Sequence, residues 1–346
     1  MKYNLLLIFY FIFFYVNAQT VQLKVIDYST KNPIENADAY FTISTESYIS
    51  DKDGKISMNL AHVNPTEELI VSKKEYQSAR INATSIQSNL IIKLEKIEEI
   101  DLNEAYFTNL KTEDILRKVI ENYDKNFNVN KFYFLVDLKQ NFKIDTVYEN
   151  YINLNLQLKF DKGKVKAKSS GIVKNKHEKG IAPLKLDFDK SDYFKHLYVL
   201  EGIKSVYDNL LKNQYTTSKL GFTEYAEKKM YEIHLENKEG SKNYFLIDRE
   251  TFSVVEYKLN LNNRIKTNKN TPLQRNGIIS FRYRPYQDAW VLKDSEVNFK
   301  MYLEQANNQI LEIDFFHQIS SWNFSNKPFE YFNKTIDLNQ NLHDRF

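Results

Sequence analysis

Six histidines, 45 acidic side chains and no cysteine define the chemistry open to this sequence. A zinc hydrolase needs a His/Glu ligand set at fixed spacing. None of His62, His177, His196, His234, His317 and His343 forms His-Glu-x-x-His; His177-Glu178 runs on into Lys179-Gly180. Each histidine reads as a surface or hydrogen-bonded residue. A glycosidase needs two carboxylates about 5–10 Å apart. Asp187 with Asp189, Asp248 with Glu250, and Glu312 with Asp314 are available. Alternate residues put both groups on one strand face, commonly an exposed one, and so many acids produce such pairs by chance. No Gly-x-Ser-x-Gly elbow, Gly-x-Gly-x-x-Gly run or phosphate loop is present. Asp51-Lys52-Asp53-Gly54 has the start of a calcium loop, but Leu60 stands where the bidentate Glu belongs. No catalytic, cofactor-binding or metal residue is assigned, and a non-enzymatic protein is expected. The remaining candidates are ligand contacts. Phe281-Arg282-Tyr283-Arg284-Pro285-Tyr286 mixes rings with guanidinium groups. It suits a glycan or an acidic chain, or a strand whose arginine stems pack beside tyrosine, which is the favoured reading. Tyr283, Tyr286, Trp290 and Trp322 are the candidate contacts.

These residues sit in a chain of 346 with 42% hydrophobic content, which is a globular balance and not a disordered one. The length suggests two folded units, or three. Net charge is +3, from 48 basic and 45 acidic groups, so no global field attracts nucleic acid or an anionic membrane. The 24 Tyr and 24 Phe, with many Val, Ile and Thr, favour β-structure.

Lys2, the twelve-residue run Leu5–Val16 and then Asn17-Ala18 have the order of a secretory signal peptide over residues 1–18. The run is short for a spanning helix, and no other stretch approaches about 18 apolar residues. The mature chain, from Gln19, is therefore expected to be exported and free of transmembrane segments. With no cysteine it has neither a disulfide nor a lipoprotein acylation site.

From 19 to 96 short strands alternate with turns. Val21, Leu23 and Val25 alternate with polar residues, as do Ala37, Ala39, Phe41 and Ile43. Asp53-Gly54 is a hairpin signal before Ile56, Met58 and Leu60. Leu69-Ile70-Val71 and Leu90–Leu94 complete a small antiparallel sandwich. Val25-x-Asp27, Ser29–Ile34, Ala37–Tyr40, Ser50–Ile56, Leu69–Ser72 and Tyr76 resemble the carboxypeptidase regulatory-like domain. That resemblance implies a transthyretin-like sandwich and no peptidase activity. Leu23 and Glu75 stand where the family usually has glycine.

Residues 97–111 read as an acidic linker, and 112–346 as an α+β domain. Thr112 is a candidate N-cap, and Ile115, Leu116, Val119, Ile120 and Tyr123 form one helix face. A second helical stretch opens at Ser191-Asp192 and runs through Leu197, Leu200, Ile203, Val206 and Leu210. Phe132–Leu138 and Ile152–Leu158 alternate as strands, with a turn at Asp161–Lys164. Strands follow at Tyr231–Leu235, Tyr244–Leu246, Val254–Leu261, Ile278–Tyr283, Trp290–Leu292, Val297–Leu303 and Ile310–Phe316. Together they suggest a curved antiparallel sheet packed on two helices. The stretch Tyr244–Val255 is similar to a hairpin of the outer-membrane lipoprotein carrier and sorting family, which are half-barrels that hold acyl chains. The fold class expected is mainly β, a small antiparallel sandwich followed by an α+β part. The function expected is an exported cell-envelope binding or assembly module of a Gram-negative bacterium, in the periplasm or at the surface. Its partner is an envelope protein, a glycan or an apolar ligand. The alternatives are a carrier of an acyl or other apolar ligand and a carbohydrate-active hydrolase.

Overall fold

The computed structural model describes residues 20–61, 63–97, 110–126, 132–161, 164–181, 197, 199–264, 272–286, 289–304 and 309–336. The expected signal peptide, most of the linker, Ser191-Asp192, Asp187, Asp189, His62, His196 and His343 lie outside them. The chain divides into two compact units, residues 1–98 with 225–227, and residues 99–224 with 228–346.

Among the described residues the first unit holds seven strands: β1 (Thr20–Asp27), β2 (Asp38–Phe41), β3 (Ser47–Ile49), β4 (Lys55–Asn59), β5 (Glu68–Ser72), β6 (Ala79–Asn82) and β7 (Ile91–Leu94). They form two sheets, β4-β1-β7 and β3-β2-β5-β6. One core joins both sheets: Leu23, Ile56 and Leu94 come from the first, Phe41, Leu69 and Val71 from the second. Among the described residues β1 pairs with β7 in parallel and the other strand pairs of this unit are antiparallel. Period-2 alternation fixes which face is buried but not the direction of a partner.

Local chemistry explains the turns. Asp51 Oδ1 accepts the Asp53 and Lys55 N–H groups at 2.9 and 2.8 Å. Gly54 takes φ +73°, and a Cβ there would lie 2.3 Å from the Val25 carbonyl oxygen. Only glycine meets both conditions without strain. Glu75 also lies in the left-handed region, at φ +69°.

The second unit is one eleven-stranded sheet with two helices, α1 (Thr112–Asn126) and α2 (Leu200–Leu211), which pack together. Its strands are β8 (Phe132–Ile144), β9 (Tyr148–Asp161), β10 (Lys164–Gly180), β11 (Tyr215–Tyr225), β12 (Lys228–Asn237) and β13 (Lys242–Asp248), then β14 (Val254–Arg264), β15 (Pro272–Tyr286), β16 (Ala289–Glu304), β17 (Ile310–Ser325) and β18 (Lys334–Ile336). Spatial order is β11-β12-β13-β14-β15-β16-β17-β8-β9-β10-β18. The meander from β11 thus brings β17 back against β8. Helix α1 starts at Thr112, one residue earlier than an N-cap there would allow, because Lys111 accepts the first helical bond from Ile115. Ile115, Leu116 and Val119 are fully buried, and α1 is tied to the sheet side by Asn126 Nδ2, which donates to the Thr251 carbonyl at 2.6 Å.

Register separates the two faces of this sheet. Directly paired residues share a face. Leu138 lies opposite Leu154 and Ile319, and Ile319 opposite Ser295. Continued across β15, β14 and β13, that face carries Phe281, Tyr257 and Phe245, all buried. The other face carries Lys139, Asn153, Gln318 and Glu296 at adjacent rungs. One side of the sheet is therefore apolar, the other polar.

Candidate functional site

The apolar face ends in a fork. β16 pairs with β17 from Glu304 opposite Ile310 to Asp294 opposite Ser320, and the pairing stops there. β17 continues to Ser325 against β8, while β16 continues to Ala289 against β15. Both strands carry an irregularity at the parting: one at Arg282/Tyr283 in the β15–β16 register, one at Ser321/Asn323 in the β17–β8 register. Bulges bend and twist a strand, so they supply the local geometry by which the two strands separate.

The fork concentrates buried polar groups. Arg284 is 1% exposed, Lys293 3% and Asp294 6%. The Arg284 guanidinium lies 4.9 Å from the Phe324 ring centroid, a cation–π arrangement. Arg282 Nε donates to Asp294 Oδ1 at 2.9 Å. The buried hydroxyls of Ser295 and Ser321 and the second oxygen of Asp294 have no hydrogen-bond partner. Ser295 pairs with Ile319 and Ser321 with Val136 on the apolar face, whereas Arg282, Asp294, Ser320 and Asp137 share a rung of the polar face. Rings frame it: Tyr286 meets Phe324 edge-on at 4.4 Å, and Phe324 stacks on Phe132 at 5.4 Å.

The opposite side of the β15–β16 hairpin is anchored. Trp290 Nε1 donates to Asp248 Oδ2 at 3.1 Å, and the Lys228 ammonium lies 3.3 Å from the same oxygen. Asp248 Oδ1 accepts the N–H groups of Glu250 and Thr251 at 2.9 and 3.2 Å. Asp248 has no exposed surface. It closes the β13–β14 hairpin and at the same time holds the indole.

The four candidate contacts meet different fates. Tyr283 is buried, and burial pushes its phenol above the ordinary tyrosine range. Tyr286 is half-buried at the fork. Trp290 is buried on the anchoring side. Trp322 falls within the β17 irregularity and is 37% exposed. The fold brings Tyr286 to the fork with Arg284, and it uses Trp290 to hold the hairpin. Of the carboxylate pairs, Asp248 serves the turn, while Glu312 and Asp314 both flank Lys300. That lysine holds the Glu312 carboxyl below the usual range. Among the described residues no cluster of three or more His, Asp or Glu is placed to hold a metal ion.

Sequence reasoning missed a second polar feature of the apolar face. Gln140 and Asn150, each 2% exposed, and His317, 1% exposed, lie on its buried side. His317 pairs with Gln140, and Asn150 lies one same-face rung away, opposite Phe142. The signal was present: Gln140 is in phase with Leu138 and Phe142, and Asn150 with Ile152 and Leu154.

No family model matches the chain, and no curated protein matches it. Several solved structures overlap it in part. The MucA/MucB complex of Pseudomonas aeruginosa aligns at 10% identity over 59% of this chain and 92% of that one, with a TM-score of 0.23. A LolA superfamily protein from Nitrosomonas europaea aligns at 8% identity over 65% and 98%, with a TM-score of 0.22. A membrane-associated protein of unknown function from Bacteroides fragilis aligns at 9% identity over 88% and 98%, with a TM-score of 0.18. None of these overlaps is close enough to assign a fold or an activity.

Proposed function

We propose that this chain is an exported, non-catalytic binding protein of the cell envelope. Its larger unit takes an amphipathic ligand, with an acyl-like body along the apolar face and an anionic group at the fork. The observation that carries this reading is the layout of that face. Apolar side chains from neighbouring strands share one side of the sheet, and at one end buried Arg284 and Lys293 stand with the partnerless hydroxyls of Ser295 and Ser321. A buried hydroxyl without an acceptor is costly in a plain structural core, and an anionic head supplies one to Ser295 and Ser321 beside the cationic Arg284. The charge–apolar–small-residue order of residues 1–18 supports export. The smaller unit fits a carboxypeptidase regulatory-like module. In support, its motif residues contact one another: Asp27 accepts the Thr30 N–H at 2.7 Å and the Tyr76 hydroxyl at 3.0 Å.

The test is native mass spectrometry of the mature protein purified from a bacterial periplasm, with solvent extraction of bound material, followed by titration of the stripped protein with stearate. A one-to-one adduct, weakened at least tenfold in Arg284→Met, supports the reading. A stripped protein that takes up no stearate overturns it.

A further inference from the structure

The polar groups in the middle of the apolar face point to a more specific ligand. Asn150 Nδ2 donates to the Tyr148 hydroxyl at 3.0 Å, and that hydroxyl donates to Glu178 Oε1 at 2.9 Å. An ionised carboxylate only accepts hydrogen bonds, so Tyr148 spends its one proton on Glu178. Asn150 must then turn its NH2 toward Tyr148. The relay fixes the amide, and its Oδ1 is left as a buried acceptor with no partner. Gln140 Oε1, across the ladder on β8, is a second buried atom without a partner. Diagonal same-face neighbours are about 7 Å apart, so one polar group on a ligand can serve both amides. Burying an unpaired carbonyl costs about as much as a lost hydrogen bond, so both atoms call for a donor.

We infer that Asn150, held by Tyr148 and Glu178, forms with Gln140 a selectivity rung that recognises a hydrogen-bond donor within the body of an acyl ligand, such as a chain hydroxyl. This rests on the acyl-binding reading above. His317 and Ser321 are four residues apart on β17, which puts the rung about 13 Å along the strand from the fork. The favoured donor therefore lies well down the chain and not beside the head group.

The experiment compares stearate with a mid-chain hydroxystearate, bound to the stripped full chain and read by native mass spectrometry and calorimetry. Wild type is expected to prefer the hydroxylated acid about tenfold, the worth of one buried hydrogen bond. Asn150→Leu is expected to abolish the preference while stearate still binds. Tyr148→Phe, which frees the amide to flip, is expected to reduce the preference without removing binding, and it provides a second readout if the leucine variant fails to fold. Equal affinity of wild type for the two acids overturns the inference and leaves the acyl-binding reading standing. Binding of neither acid overturns both.

Discussion

Asp248 is the residue whose loss should do most damage per atom removed. Four donors converge on its carboxylate: two backbone N–H groups of its own turn, the Trp290 indole and the Lys228 ammonium. In Asp248→Ala the indole N–H, at a tryptophan only 3% exposed, loses its acceptor, and the turn loses its cap. Lys228, partly solvent-exposed, is the cheapest to release, since water can take over. Leaving the buried indole N–H without its acceptor costs about 1–3 kcal/mol and losing the turn cap about 1 kcal/mol, together about 2–4 kcal/mol. For a unit of this size that corresponds to a melting point lower by about 10 °C. Trp290→Phe removes only one donor and leaves the carboxylate satisfied by three others, so a loss of about 1 kcal/mol is expected. Urea unfolding of the single and double variants gives the coupling between the two side chains. The reasoning predicts that Trp290→Phe adds almost nothing once Asp248 is alanine. Strict additivity, or an Asp248→Ala loss below about 1 kcal/mol, refutes it.

Three further outcomes concern the smaller unit. Gly54→Ala combines a positive φ with a Cβ overlap on the Val25 carbonyl, and should cost roughly 3 kcal/mol in chemical denaturation of the full chain; a change under 1 kcal/mol contradicts the turn geometry. Glu75→Gly should stabilise by about 0.5–1 kcal/mol, because it relieves a left-handed backbone at the modest entropic cost of glycine; a destabilised variant means that the Glu75 side chain matters. Burial alone would raise the Glu67 carboxyl, but the Ser44 hydroxyl and the N–H groups of Ser44, Asn64 and Ile43 outweigh it and hold the group below the usual range. The stability it contributes is thus complete above the ordinary carboxylate value and is lost as pH falls through the folded value. Glu67→Gln should flatten that acid limb in a melting-point series, and an unchanged slope argues against the assignment.

How much of this was legible depended on what each strand buries. β8, β9, β12 and β13 alternate because one side meets the core, and periodicity found them. β10 escaped: in residues 165–180 only Ala167 and Ser169 are buried, and on the side away from β9 its neighbour is the short edge strand β18. β16 was read as two strands, Trp290–Leu292 and Val297–Leu303, because Lys293-Asp294-Ser295 interrupts the apolar pattern. The structure runs a single strand through that interruption and buries all three residues. The break in periodicity was the mark of the fork. Gln140, Asn150 and His317 were visible in the same way, as polar residues at inward-facing positions. Pairing between distant strands, such as β17 with β8, has no local signal at all. The parallel match of β7 to β1 is equally invisible, since alternation does not encode strand direction.

The most direct test of the proposed acyl-binding face is photo-crosslinking. A stearic acid analogue with a diazirine near the chain terminus, bound to the stripped full-length mature protein and irradiated, labels whatever surrounds its tail, and peptide mass spectrometry locates the adduct. Labels on inward-facing residues of the central strands, such as Leu138, Leu154 or Ile319, and competed by unlabelled acid, are the predicted result. Labels confined to the polar face, around Asn141 and Tyr151, or to the smaller unit, would contradict the assignment of the apolar face as the binding surface.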